Sequence, residues 1–198
     1  MLERTISRDR LKKYFSASAN NLDAALALYE RNTRLSEATY CPLQSLEICL
    51  RNRIDHEMSH VYRTDWITNG AGGMAQNALK MIADAQKQCG AAHSKSDLVA
   101  ELKFSFWVGL TGVGYDATLW RQVIHRAFRA QGGKKRETVN GRLNALRRFR
   151  NRVAHHEPIF ATSLQMHAEC LETIGWMCAD TSSWATYHSR FPEVYAAP

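Results

Sequence analysis

The chain has only four prolines in 198 residues and no stretch rich in proline, glycine and serine. Nothing in it marks a linker, and one compact domain is the expected organisation. No low-complexity tract or long-period repeat divides it. The five cysteines, at 41, 49, 89, 170 and 178, are odd in number and form no CxxC pair. That excludes a disulfide scaffold and suits reduced thiols of a cytoplasmic protein. The longest apolar stretch, around Phe104 to Leu110, falls far short of the ~20 residues a membrane span needs. Met1 to Phe15 mixes acids with bases instead of carrying an apolar signal core. The expectation is a soluble, untargeted protein with no membrane partner. A chain this long buries roughly 70% of its unfolded surface, enough for a core without metal or disulfide help.

Acids are scarce in one segment. Residues 121–152 hold eleven bases against the single acid Glu137, a charge of +10, while the remainder holds fifteen bases and eighteen acids, or −3. The net +7 therefore belongs to one stretch, for which a polyanion is the natural partner. A solvated basic helix and loop would give the same count.

Hydrophobic spacing predicts helices over Ser7–Ala17, Asn21–Ser36, Pro42–Tyr62, Met74–Cys89, Ser96–Val108, Tyr115–Phe128, Thr138–Ala154 and Ser163–Met177. Pro42 suits a first helical turn, Ser96 and Thr138 are cap-type residues, and Pro158 stops the helix before it. The expected fold is all-α, a single-domain bundle of about eight helices.

Two short motifs carry less than their patterns suggest. His56-Glu57-Met58-Ser59-His60 is a literal HExxH, the zinc-hydrolase pattern. On the Pro42–Tyr62 wheel, however, both histidines fall to one side of the apolar stripe, and no third ligand follows; they read as partly exposed helix histidines. Gly112-Val113-Gly114-Tyr115-Asp116-Ala117 satisfies GxGxxA but lacks the flanking strands and the acid of a dinucleotide site, so it reads as a loop between helices. The residues require neither metal nor cofactor.

The third motif runs from Arg147 to Pro158. On a wheel of about 100° per residue, Val139, Leu143, Leu146 and Val153 cluster, Arg150 falls within the same stripe, and Phe149 lies farther out. A guanidinium inside an apolar stripe needs an anion, because desolvating it costs several kcal/mol. Arg148, Asn151 and His155 share another flank. Pro158 is expected to free the last turn, letting His155 or His156 swing toward Arg150. The anion is either an external phosphate or an internal acid, for which Glu47, at the edge of the Pro42–Tyr62 stripe, is the candidate.

Arg150-Asn151 with His155 four residues on matches R-N-x-x-x-H, a form of Rx4-6H. Together with Leu46-Glu47, Leu50-Arg51-Asn52, Phe104-Ser105-Phe106-Trp107 and Ile174-Gly175-Trp176 it makes the chain resemble the Abi-like (abortive infection) proteins of the HEPN superfamily, from about Tyr40 to Tyr195. Ser105 departs from the glycine of that pattern, and the first forty residues carry no motif of the family. The resemblance implies a homodimer pairing the Rx4-6H helices and metal-independent endoribonuclease chemistry of phage-defence or toxin-antitoxin systems. RNA would be the substrate, and the partners would include an antitoxin protein. It assigns Arg150 to the phosphate, Asn151 to orienting the phosphate or the imidazole, and His155 to acid–base catalysis. His156 is the alternative base, since Rx5H also fits and Arg148 to His155 is a further match. Arg147, Arg148 and Arg152 would bind substrate. Glu47, Arg51 and Asn52 would support the site, the last two within Arg51-Asn52-Arg53-Ile54-Asp55-His56, which repeats the spacing.

Overall fold

The computed structural model describes residues 5–70 and 73–197, which are all-helical with no strand. Ten α-helices are present among them: α1 (Arg8–Ala17), α2 (Leu22–Ala38), α3 (Tyr40–Tyr62), α4 (Gln76–Cys89), α5 (Lys95–Glu101), α6 (Phe104–Gly109), α7 (Arg136–Ala154), α8 (Ser163–Met177), α9 (Ala179–His188) and α10 (Phe191–Ala196). None of the described helices is long and apolar enough to cross a membrane.

The count exceeds the expected eight for local reasons. Ser96–Val108 is two helices, because Leu102 and Lys103 are extended between α5 and α6. The indole of Trp107 donates to the Leu102 carbonyl at 3.2 Å, closing that break. The cap of α5 is Ser94, which forms a reciprocal capping box with Asp97, and not Ser96. Likewise α7 begins at Arg136, ahead of Thr138. Tyr115–Phe128 is no regular helix: 3₁₀ turns at Val113–Tyr115 and Ile124–Phe128 flank a π turn at Asp116–Trp120. Leu119, Trp120, Val123, Ile124, Ala127 and Phe128 are all buried, across an arc of about 180°, wider than a surface helix presents. The two helices after Met177 were not expected.

The longest element, α3, is the spine. Its stripe of Leu43, Leu46, Leu50, Ile54 and Met58 is buried and packs against α8, α9, α6 and the Ile124–Phe128 turn. Close approach between α3 and α7 is sparse, which leaves a groove between them.

The first two helices earn their place at the far end of α7. Leu11 and Tyr14 of α1 and Ala25 of α2 form a small core with Phe160 packed on it. From the same hairpin the buried amide of Asn32 accepts hydrogen bonds from the backbone N–H of Ile159 at 2.6 Å and of Phe160 at 3.1 Å, and donates to the Glu157 carbonyl at 3.4 Å. Asn32→Ala would strand the buried N–H of Ile159 and the part-buried N–H of Phe160. We expect it to cost about 3 kcal/mol in a urea melt, at about 1–3 kcal/mol per unsatisfied group.

At the other end of the chain, His167 of α8 stacks on Phe191 with ring centroids 4.4 Å apart, and its Nε2 lies 2.8 Å from the Ser189 hydroxyl. Burial lowers its pKa. A depressed pKa means that the unfolded chain takes up the proton first. This contribution is therefore complete above the unfolded value of about 6.5 and is lost as pH falls below it. Melting between pH 7 and 5.5 (about the range in question) should show a downward slope that His167→Gln flattens.

Candidate functional site

Between α3, α7 and the α5–α6 break lies a cleft of about 490 Å³. Arg147, Arg150 and Asn151 enter it from α7, at spacings of three and four that put them on one face. Glu47 and Arg51 enter from α3, Lys103 from the break and Ser105 from the first turn of α6. Its lining holds four cations (Arg51, Lys103, Arg147, Arg150) against Glu47 and Glu101, a balance of +2. Ser105 thus sits on the wall of the cleft.

Arg150 donates from Nε to Glu47 Oε1 at 2.7 Å. The internal acid foreseen as one of two anions is therefore present. Yet the side chains are 41% and 28% exposed, so Arg150 is not the desolvated guanidinium that the wheel suggested. The buried stripe of α7 runs through Val139, Leu143, Leu146 and Phe149, turning toward Phe149 where Arg150 had been placed. A wheel fixes angle only, whereas a long side chain carries its charged head out to water. The bond to Glu47 occupies Nε and leaves the terminal nitrogens of the fork outside it. Arg51 donates to the Ala100 carbonyl at 3.5 Å, and its own buried Nε has no partner. Among the described residues Arg147 bonds only Asn144, at 3.3 Å. No side-chain hydrogen bond is made by Asn151 among the described residues.

The histidines sit elsewhere. His155 caps α7, and both His155 and His156 are exposed and line neither this cleft nor the one beside it. Pro158 does not free the last turn. The Glu157 N–H bonds the Arg152 carbonyl at 2.8 Å and the His156 N–H bonds that of Val153 at 3.0 Å, with His156 at φ 56°: a Schellman closure in which a histidine holds the left-handed position that glycine usually takes. Arg10 of α1 donates to the His155 carbonyl at 3.2 Å. Arg152 is spent on the same closure, through the Pro158 carbonyl and Glu157 (3.6 Å). Arg148 and Asn52 are exposed and make no bond to other described residues.

Much of the basic segment is neutralised from outside. Arg121 meets Asp116 at 2.9 Å, Arg142 meets Glu169 at 3.3 Å and Glu172 at 2.7 Å, and Arg152 and Arg150 pair as described. The Arg142 hydrogen bond holds the Glu172 carboxyl below its ordinary range. Five carboxylates beyond residues 121–152 (Glu47, Asp116, Glu157, Glu169 and Glu172) reach in, reducing the segment's +10 to +5. The deeply placed guanidinium is Arg136, which forms an ion pair with Asp116 (3.2 Å) and hydrogen bonds to Glu137 (3.0 Å) and the Thr111 carbonyl (3.3 Å).

The other motifs do not line this cleft. His56 and His60 are exposed and Glu57 pairs with Arg53 at 3.3 Å. No group of three His, Cys, Asp or Glu able to hold a metal occurs among the described residues. Gly112–Ala117 forms the turn after α6, with no strand before it. No family model, curated protein or solved structure matches the chain.

Sequence reasoning missed Lys103, whose signal is only a base before an aromatic run, as well as Arg10 and Asn32. Because the Glu47–Arg150 pair is solvent-screened, Glu47→Gln is expected to lower the unfolding free energy from a denaturant melt by less than about 1 kcal/mol. A larger loss would mark the pair as an anchor of the fold.

Proposed function

We propose that the protein is an endoribonuclease of the HEPN type, metal-independent and serving in phage defence or as the toxin of a toxin-antitoxin pair. The observation that carries this reading is the convergence of Arg51, Arg147, Arg150 and Asn151 on one positively charged cleft, with only one edge of Arg150 held by a carboxylate. A planar guanidinium fork suits a phosphodiester. RNA brings its own nucleophile, the 2′-hydroxyl, so the protein has to take that proton, stabilise the phosphorane and protonate the leaving 5′-oxygen. An imidazole titrating near neutrality suits both transfers, a contribution of about 10²- to 10⁴-fold. His155 takes that role here, with His156 as the alternative. Since neither lines the arginine cleft of its own chain, the site is completed by a second copy, whose helix end brings the imidazole to the phosphate across a two-fold axis.

The same placement of the histidines favours a second reading, a non-catalytic module of this fold that binds RNA or a protein such as an antitoxin. His155→Ala and His156→Ala separate the two. The nuclease reading expects one of them to lose about 10²-fold or more in cleavage of single-stranded RNA, with EDTA without effect and with RNA affinity retained. Equal cleavage by both variants would end it. For four phosphate-binding cations, log K should fall against log salt with a slope near −3, at about −0.7 per contact, and Arg150→Gln should flatten it by about one contact.

A further inference from the structure

The cleft at Arg150 is not isolated. Beside it lies a second of about 360 Å³, which shares Glu47, Arg51 and Arg150 with the first. Beyond that is a third of about 310 Å³, walled by Arg34 and Glu37 of α2 and by His188 and Arg190 at the α9–α10 junction. Tyr40 lines both the second and the third. The shared residues join three depressions into one surface path. Its floor is a single stripe of α3, with Tyr40, Gln44, Glu47 and Arg51 at spacings of four, three and four.

From Tyr40 to Arg51 the helix rises about 16 Å, at about 1.5 Å per residue. The path therefore exceeds a single phosphate. Arg34, Arg190, Arg51, Arg150, Arg147 and Lys103 line it against Glu37, Glu47 and Glu101, a balance of +3. Tyr40, at its middle, is 68% exposed. At the far end Trp184 and Tyr187, both exposed, flank the His188 ring at 4.5 and 4.9 Å. Tyr40, an exposed ring set between cations, matches a flexible polyanion that carries flat bases, for a base can stack on it while the backbone follows the charge.

We propose that this path is the binding track for single-stranded RNA, with Tyr40 as a base-stacking platform and Arg34 and Arg190 guiding the strand to the Arg150 cleft. The proposal rests on the RNA reading above and goes beyond it, because it assigns substrate contacts to α2, to Tyr40 at the start of α3 and to the α9–α10 junction, all outside the Rx4-6H motif.

The test uses fluorescence anisotropy with unstructured, mixed-sequence RNA oligonucleotides of about 3 and about 12 nucleotides. Wild type should gain affinity on lengthening. Tyr40→Ala should weaken binding of the longer strand about tenfold, and Tyr40→Phe should restore it. Arg190→Glu, on a separate element, should do the same and lower the salt slope. Unchanged melting curves for these exposed positions separate lost contacts from lost fold. If wild type binds the long strand while Tyr40→Ala and Arg190→Glu bind it equally well, the track is wrong and the RNA reading survives. If wild type binds no RNA, both fail. If the variants alter sedimentation but leave RNA affinity untouched, the path is a contact between copies of this chain and the proposal is overturned.

Discussion

The arrangement depends on how the carboxyl end of α7 is closed. A helix end leaves carbonyls without partners, and a chain leaving it must satisfy its own amides or meet water. Here the Schellman turn at His156 takes the carbonyls of Arg152 and Val153, and the buried amide of Asn32 takes the N–H groups of Ile159 and Phe160. The two closures meet over five residues. Between them they decide where His155 and His156 stand, outside the groove that holds Arg150. The N-terminal hairpin, which looks dispensable by motif, is thus what orients the end of the motif helix.

Charge in this protein is distributed by partner and not by sequence count. Arg136 and Arg142 are committed to carboxylates on at least two sides, and Arg152 to the helix end. Arg147, Arg148, Arg51 and the outer edge of Arg150 have no such commitment. An incoming phosphate would meet that second group. It would compete with Glu47 for Arg150, and a half-exposed pair worth at most about 1 kcal/mol does not prevent it.

The helices with one clean stripe were legible, α3 above all, as were α7, α8 and α2 to within two residues. So was Glu47 as partner of Arg150, because its position at the stripe edge is set by periodicity alone. Periodicity cannot report depth. Arg150 sits at the right angle but on a groove, whereas Arg136 hides in a run of bases whose first turn tucks beneath Thr111 and Asp116. Asn32 did leave a trace: it stands seven residues after buried Ala25 and three before buried Leu35, so a lone amide on an otherwise apolar face was visible. Its partners, 125 to 128 residues away, were not. Pro158 misled because a proline after a helix excludes continuation without saying which turn replaces it.

The separation of arginine and imidazole is the physical reason to think of two copies and not one. Swinging His155 into its own cleft would require undoing the bonds of Glu157 and His156 to the last carbonyls and the Arg10 contact. At about 0.5–1.5 kcal/mol net for each hydrogen bond, that is several kcal/mol before any chemistry begins. A second chain delivering its already fixed helix end has no such cost beyond association. On the proposed reading, such a site would be incomplete in the isolated chain and completed only as copies meet, so concentration would govern it.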